Sequence, residues 1–197
     1  IFKNVLPIVE DLEEAQMQLQ TMLTMKHVAP FKDEAKMMQI STSNTAETLE
    51  RWIKVMTLWC SLESVFSGGD IAKQLPLEAK KFQKIDKDFD KVMRKAYETT
   101  NVIQACQNDI LKQNLIVFYN ALEKCQKSLE GYLEQKRNKF PRFYFVSNPV
   151  LLQILSKGSD PQAIQPYYEK IFDSIDEVVH QAGSPNNIEA FFSRLGA

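Results

Sequence analysis

The sequence predicts a mainly α protein, in which an elongated bundle of long antiparallel helices is followed by a short extended segment and short helices. Apolar side chains recur every three or four residues over most of the chain up to about residue 138, which is typical of helices that pack along other helices. After residue 138, short aromatic and proline-marked segments replace the long stripes. With 197 residues, 44% of them hydrophobic, the chain can bury a core and is not a disordered polypeptide.

The first two helices are predicted from separate apolar stripes. One stripe covers roughly residues 3–26, and the Ala29-Pro30 pair bends or ends that helix. The second stripe runs over residues 49–66 and contains Trp52 and Trp59, which lie seven residues apart. This spacing places both indole rings on one helix face, so both are expected to be substantially buried.

The boundaries of the second helix are marked by polar and glycine residues. Residues 41–44 read Ser-Thr-Ser-Asn and are predicted to interrupt the helix, either as a loop or as a turn that propagates poorly. The Gly68-Gly69 pair is predicted to end it, because glycine accepts the left-handed conformation of a helix cap.

Two more long helices are predicted, separated by a polar segment. Residues 76–97 repeat the spacing of three and four, and residues 99–108 read as a loop with a short turn. The next helix extends to about residue 138 and has the most regular stripe of the chain, made of Leu111, Leu115, Phe118, Leu122, Cys125, Leu129 and Tyr132.

Residues 140–146 are aromatic and favour β structure, so a short strand or extended segment is predicted there. Pro141 disfavours a helical Phe140 and is expected to end the preceding long helix. In an extended segment, side chains two residues apart share a face. Phe143 and Phe145 are therefore expected to be buried together, with Tyr144 on the opposite side.

Three short helices are predicted after this segment. Ser147-Asn148-Pro149 and Asp160-Pro161 each offer an N-cap followed by proline, and Ser184-Pro185 is predicted to open a third helix that ends at Gly196. The predicted organisation is thus a long-helix bundle over residues 1–138 and a second segment over residues 139–197. Because the chain starts at Ile1 without an initiator methionine or a signal peptide, it is expected to be a fragment of a much larger chain.

The sequence contains no motif that predicts an enzyme. A phosphate-binding G-x-x-x-x-G-K-[ST] loop, a G-x-G-x-x-G loop and a G-x-S-x-G nucleophile motif are all absent. Two histidines, His27 and His180, and three scattered cysteines give no metal-binding spacing. No catalytic residue, cofactor site or metal site is therefore expected in this chain.

Residues 136–145 interleave basic and aromatic side chains, a pattern that can bind single-stranded nucleic acid. A net charge of −1 and the ordinary preference for cations at a helix C-terminus argue against that interpretation. No stretch approaches the roughly 20 apolar residues that a membrane span requires. The sequence thus predicts neither nucleic-acid nor membrane binding.

Several short motifs, taken together and in their order along the chain, resemble one protein family. They are LEGYLEQKR (129–137), FPRFYFVS (140–147), LLQILS (151–156), Asp160-Pro161 and Gln165-Pro166, preceded by Trp52, Trp59, LESVF (62–66), DIAKQLP (70–76), Lys81-Phe82 and residues 85–87. In combination and order they resemble the linker region of dynein heavy chains, best over residues 52–172. The sequence of residues 144–147 resembles that of axonemal dyneins. Among these, outer-arm dyneins are favoured, and inner-arm dyneins are the alternative.

The resemblance implies a mechanical role. In that family the linker is a helical element before the first AAA+ module, and it swings across the ATPase ring to deliver the power stroke. It implies ATP and Mg²⁺ in the parent chain only, and the AAA+ ring of the same heavy chain as a partner. Intermediate chains, light chains and microtubules would bind other parts of the parent, in the cytoplasmic cytoskeleton of a ciliary or flagellar axoneme. The residues that carry the structural motif by resemblance are Trp52, Trp59, Phe140, Pro141, Arg142, Phe143 and Phe145.

Two other functions compete with this one. The first is a static, spectrin-like helical scaffold or partner-binding module, which would show the same long stripes. A repeat at a fixed period would favour the scaffold, and none is found in the sequence. An enzyme is a third and weaker alternative, because the motifs for it are absent.

Overall fold

A computed structural model of the protein describes residues 4–67, 70–157, 160–182 and 184–193. The α-helices in these residues are α1 (Leu6–Thr24), α2 (Lys32–Phe66), α3 (Asp70–Gln74), α4 (Pro76–Glu98), α5 (Val102–Cys106), α6 (Asp109–Lys139), α7 (Asn148–Ser156) and α8 (Tyr168–Ile171). Three 3-10 helices and two strands complete them: η1 (Ala29–Phe31), η2 (Pro141–Phe145), η3 (Gln162–Tyr167), β1 (Ile175–Gln181) and β2 (Ser184–Ser193). The predicted mainly α class, with long helices followed by short elements, is confirmed.

The chain divides into two compact units. The first comprises the residues up to Cys60 together with Lys84–Leu122, and the second comprises Ser61–Gln83 together with the residues from Glu123 onward. The predicted division into residues 1–138 and 139–197 stays a prediction.

In the first unit, α1 and α2 form an antiparallel hairpin around η1. Leu19 and Met38 line one groove close to η1, and Val9 and Ile53 line another at the opposite end of α1. This reverse order of contacts along the two helices is that of an antiparallel pair. The expected break at the Ala29-Pro30 pair is confirmed, because η1 occupies that position.

Helix α2 runs through residues 41–44, so the predicted interruption there is wrong. Three threonines in and just after this stretch, Thr42, Thr45 and Thr48, are buried. Each hydroxyl donates to the carbonyl oxygen four residues earlier, at 3.0, 2.8 and 2.7 Å. Because these bonds satisfy the hydroxyls inside the helix, the threonines can be buried without ending it.

Aromatic side chains fill the part of the first unit between α2, α4 and α6. Trp52 is only 3% exposed, so its predicted burial is confirmed. Trp59 is half-buried, less than predicted, and its Nε1 donates to Oδ1 of Asp86 at 3.0 Å. The ring of Phe89 lies 5.4 Å from that of Trp59 and 6.0 Å from that of Phe118, which joins the three helices through one aromatic row.

The second unit has its core around the C-terminal part of α6. The ring of Phe66 stacks on that of Phe82 at 5.6 Å, which pairs α2 with α4 in this unit. Further along the chain, the buried members of one hydrophobic cluster are Leu133, Val146, Leu151, Ile154 and Ile171. The short helices predicted at Ser147-Asn148-Pro149 and Asp160-Pro161 are confirmed as α7 and as η3 followed by α8.

Strands β1 and β2 form an antiparallel hairpin, so the helix predicted to begin at Ser184-Pro185 is wrong. Residues 194–197, including the predicted end at Gly196, lie outside the described residues. The segment is rich in side chains that favour strands, such as Ile188, Phe191 and Phe192, and it pairs with β1. This pairing outweighs the local N-cap signal of a serine followed by proline.

The strand predicted over residues 140–146 is also wrong, because these residues contain the 3-10 helix η2. A 3-10 helix has three residues per turn, so side chains three apart share a face. Phe143 is half-buried and Val146 is buried, whereas Phe145 is 84% exposed. The expected joint burial of Phe143 and Phe145 is therefore wrong for Phe145, and Tyr144 is exposed as predicted.

Candidate functional site

The candidate site is the place where the longest regular stripe of the chain stops, here called the junction and defined as residues 134–148. The last residues of α6 lie at its start, η2 at its centre and the start of α7 at its end. Phe140, with φ −135° and ψ 91°, is extended, as expected of a residue before proline. Pro141 thus ends α6 and opens η2, where its missing N–H costs nothing.

Arg137 joins α6 to the chain that follows it. Its Nε donates to the carbonyl oxygen of Phe143 at 3.4 Å, and its Nη2 donates to the carbonyl oxygen of Val146 at 3.2 Å and to Oδ1 of Asn148 at 2.6 Å. The side chain is only 15% exposed. One guanidinium therefore holds the C-terminal end of α6, the end of η2 and the start of α7 in a fixed relation.

A second set of contacts lies on the exposed side of the junction. The hydroxyl of Tyr144 lies within hydrogen-bonding distance of Oε1 of Glu134 and of Oδ1 of Asn138, and it has one proton to donate. The hydrogen bond to the Glu134 carboxylate raises the pKa of Tyr144 above its ordinary value. The other oxygen of Glu134 lies 3.9 Å from Nη1 of Arg137, so this carboxylate lies between the two side chains.

Aromatic contacts tie η2 to the residues after α8. The rings of Phe140 and Phe143 meet edge to face at 4.9 Å, and the ring of Phe172 lies 6.4 Å from that of Phe140. Arg142 is exposed, but its Cζ lies 4.9 Å from the centre of the Phe172 ring and its Nη1 donates to the carbonyl oxygen of Ile171 at 3.5 Å. The junction is thus held both by hydrogen bonds and by ring packing.

Both guanidinium groups of the junction are engaged by contacts within the chain. The Arg137 and Arg142 guanidinium groups donate to backbone carbonyls of the same chain. Among the described residues, no group of three or more His, Cys, Asp or Glu side chains is placed to hold a metal ion. In the same residues, no helix combines the length and the apolar character that crossing a membrane would take.

The structure brings together five of the seven residues singled out from the sequence. Phe140, Pro141, Arg142, Phe143 and Phe145 all lie in or beside η2, and Phe145 makes no buried contact there. Trp52 and Trp59 belong to the first unit and have no part in the junction.

Sequence reasoning missed the role of Arg137, Glu134 and Asn138. Arg137 was interpretable only as one of several cations in the last turn of a helix, where they are generally favourable. The sequence offered one signal of this role. Arg137 lies three residues before Phe140 and four before the proline that ends the helix. The carbonyl groups that it binds lie six and nine residues further on, at places that only the fold determines.

Comparison with known proteins shows what the chain is related to. The profile of a family described as "Dynein heavy chain, N-terminal region 2" matches residues 1–197. The chain belongs to the dynein heavy chain family. The predicted resemblance to dynein heavy chains is therefore confirmed.

Three of the relatives that this chain matches are described as axonemal, flagellar outer-arm or ciliary dyneins. "Dynein axonemal heavy chain 8" of Homo sapiens is 46% identical over 190 residues, which are 96% of this chain and 4% of the relative. "Dynein gamma chain, flagellar outer arm" of Chlamydomonas reinhardtii is 44% identical over 189 residues, or 95% of this chain and 4% of the relative. "Dynein beta chain, ciliary" of Tripneustes gratilla is 39% identical over 181 residues, or 91% and 4%. The chain therefore spans only 4% of the length of these relatives.

Proposed function

We propose that this chain is the linker segment of an axonemal dynein heavy chain. In this role it is a mechanical lever that couples ATP hydrolysis in the AAA+ ring to movement along microtubules in cilia and flagella. The segment itself performs no catalysis. ATP and Mg²⁺ would bind the ring of the same heavy chain, while intermediate chains, light chains and microtubules would bind other parts of the parent.

The junction is the observation that carries this proposal. A lever must pass force from one element to the next without losing it in local bending. At the end of α6, a helix of 31 residues, Arg137 donates to the carbonyl groups of Phe143 and Val146, which lie beyond the proline at which the helix ends. Such a fixed connection supports transmission of force, and a module that only binds partners has no need of it.

The proposal is tested by weakening the junction in the full-length heavy chain. Arg137→Ala removes the contacts to Phe143, Val146 and Asn148. ATP turnover and microtubule gliding velocity are measured on the same preparation. We expect turnover to persist while the movement obtained per ATP hydrolysed decreases, because the ring is untouched and only the lever is softened.

The matched control is Lys139→Ala. Lys139 is exposed, lies at the end of the same helix and loses the same charge, so gliding is expected to stay as in the unsubstituted protein. Unchanged gliding in the Arg137→Ala heavy chain, with the junction shown to be loosened by hydrogen exchange, would contradict the lever and favour a static scaffold.

A further inference from the structure

The two outer edges of the β1–β2 hairpin differ. On the outer edge of β1, the backbone N–H of Val178 donates to Oε1 of Gln165 at 3.2 Å. The Nε2 of the same side chain donates to the carbonyl oxygen of Asp176 at 3.3 Å. The Gln165 amide thus occupies the place that a peptide group of a neighbouring strand would fill, and it closes this edge.

The same bonds show which groups β2 turns outward. Val178 is paired with Phe191 across the hairpin. Because the N–H of Val178 points away from β2, the two residues form a pair without mutual hydrogen bonds. In such a pair the N–H and C=O groups of both residues point away from the partner strand. The N–H and C=O of Phe191 therefore point to the outer edge of β2.

In the part of the chain that the structure describes, the outer edge of β2 is open, and it is apolar around Phe191, although the exposed Glu189 lies beside it at an irregularity of the register. There the sheet has only two strands, in the order β1-β2. Phe191 is 68% exposed, and Ile188 and Phe192 are exposed as well. Proteins commonly cover or charge such an edge, and a two-stranded hairpin alone is marginally stable. The edge thus has the properties of a pairing position for another strand.

We propose that a third strand pairs with the outer edge of β2, and that it comes from the segment that follows residue 197 in the full-length heavy chain. Members of the family are long, since the matched region makes up 4% of the relatives. A strand that follows directly needs only a short hairpin loop, and consecutive strands are the commonest neighbours in a sheet. It would run antiparallel to β2 and place apolar side chains over Phe191.

This inference rests on the proposed function only because both concern the full-length heavy chain. The lever is tested at Arg137 by gliding, whereas the added strand is tested at Phe191 by amide exchange. A failure of one therefore leaves the other result standing.

The first test is hydrogen exchange at single-residue resolution on the full-length heavy chain, purified without its associated chains. We expect the Phe191 amide to exchange at least about tenfold more slowly than an unprotected amide, because it is hydrogen-bonded to the new strand. Exchange at the unprotected rate would overturn the proposal. Protection that appears only after associated chains are added would overturn it too, since the strand would then belong to a partner.

The second test compares Phe191→Pro with Phe191→Ala. Proline removes the outward N–H without removing a β1–β2 hydrogen bond, whereas alanine removes the ring and keeps the N–H. We expect proline, and alanine to a smaller extent, to speed exchange in the segment just after residue 197. Equal effects of the two variants, or faster exchange in a different segment, would overturn the proposal. If the proline variant does not fold, the Phe191 amide in the unsubstituted protein still decides.

Discussion

At the scale of single residues, the two tryptophans of α2 show how burial sets the energetic weight of a side chain. Both lie on the same helix stripe, seven residues apart, and the sequence predicts that both are substantially buried. Trp52 is buried, whereas Trp59 is half-buried and keeps its indole N–H on the Asp86 carboxylate. Their substitution should therefore have different costs.

We expect Trp52→Ala to lower the free energy of unfolding by about 3–5 kcal/mol, the range for a large aromatic side chain removed from a packed core. Trp59→Ala should cost less, because part of its ring already faces water. Urea unfolding of both variants, followed by circular dichroism, measures the difference. An equal or larger loss for Trp59→Ala would show that the two environments have been ranked wrongly.

The three cysteines differ in the same way. Burial raises the pKa of the Cys106 thiol to about 11, and burial also raises the pKa of Cys125. Cys60 is only partly buried. Since the thiolate is the reactive form, a thiol whose pKa is raised stays protonated and unreactive through neutral pH.

With a thiol reagent at pH 8 we expect Cys60 to be labelled first, and Cys106 and Cys125 only when the protein unfolds. The labelling rate of Cys106 should rise as the pH approaches about 11. Mass spectrometry of the labelled peptides over a pH series gives each rate. Labelling of Cys106 at pH 8 as fast as in urea would mean that its surroundings are open to water.

At the scale of elements, η2 shows how a change of helix type moves side chains between core and solvent. In a strand Phe143 and Phe145 would share a face, but in a 3-10 helix Phe143 shares its face with Phe140 and Val146. The observed edge-to-face contact of Phe140 with Phe143 and the burial of Val146 follow this period of three.

The two phenylalanines provide a matched pair of substitutions in one turn. Phe143→Ala should destabilise the protein by about 2 kcal/mol, less than a fully buried ring, because it packs against the cluster around Leu133 but is half-buried. Phe145→Ala should stay within about 0.5 kcal/mol, since an exposed side chain loses little. Thermal unfolding of both variants measures the change in stability. A larger loss of stability for Phe145→Ala would contradict the 3-10 helix and favour the strand predicted from the sequence.

A second prediction at this scale concerns the Arg137 contacts. Arg137→Ala should lower the free energy of unfolding by about 2–3 kcal/mol, because hydrogen bonds from a charged donor are lost and two carbonyl groups are left without this partner. Arg137→Lys should recover only part of it, since an ammonium cannot span the same three acceptors. Lys139→Ala is the control and should be nearly neutral. Full recovery by lysine would show that charge alone matters.

The long elements could be predicted from the sequence because each contains several helical periods. The regular stripes of α4 and α6 gave their positions to within about two residues of the observed ends. Segments of seven to ten residues, such as 140–146 and β2, contain too few periods to decide between structures. Their conformation depends on pairing with β1 and on packing against the cluster around Leu133, which the local pattern does not contain.

The candidate site was predictable to a similar degree. The stop at Pro141 follows from the chemistry of proline and is visible in the sequence. The role of Arg137 depends on carbonyl groups that fold back towards α6, so the residue type predicts a favourable cation and nothing more.

At the scale of the whole molecule, the charges of the chain are balanced. Its 24 basic and 25 acidic side chains nearly cancel, and the described ion pairs are mostly local pairs along exposed helix faces. Surface pairs of this kind contribute little individually. The sequence has one glycine pair, Gly68-Gly69, and it is not part of a G-x-x-x-x-G-K-[ST] phosphate-binding motif.

We therefore expect the 197-residue chain on its own to bind neither ATP nor ADP and to have no ATPase activity. Nucleotide recognition needs a row of backbone N–H groups or cations that converge on phosphates, and Arg137 and Arg142 already donate to carbonyl groups of the chain. Calorimetric titration with Mg-ATP measures binding, and the full-length heavy chain, whose AAA+ ring we propose to bind ATP, is the comparison. Saturable binding by the short chain that one substitution within it abolishes would show that this segment has a nucleotide site of its own, and a purely mechanical role would then be untenable.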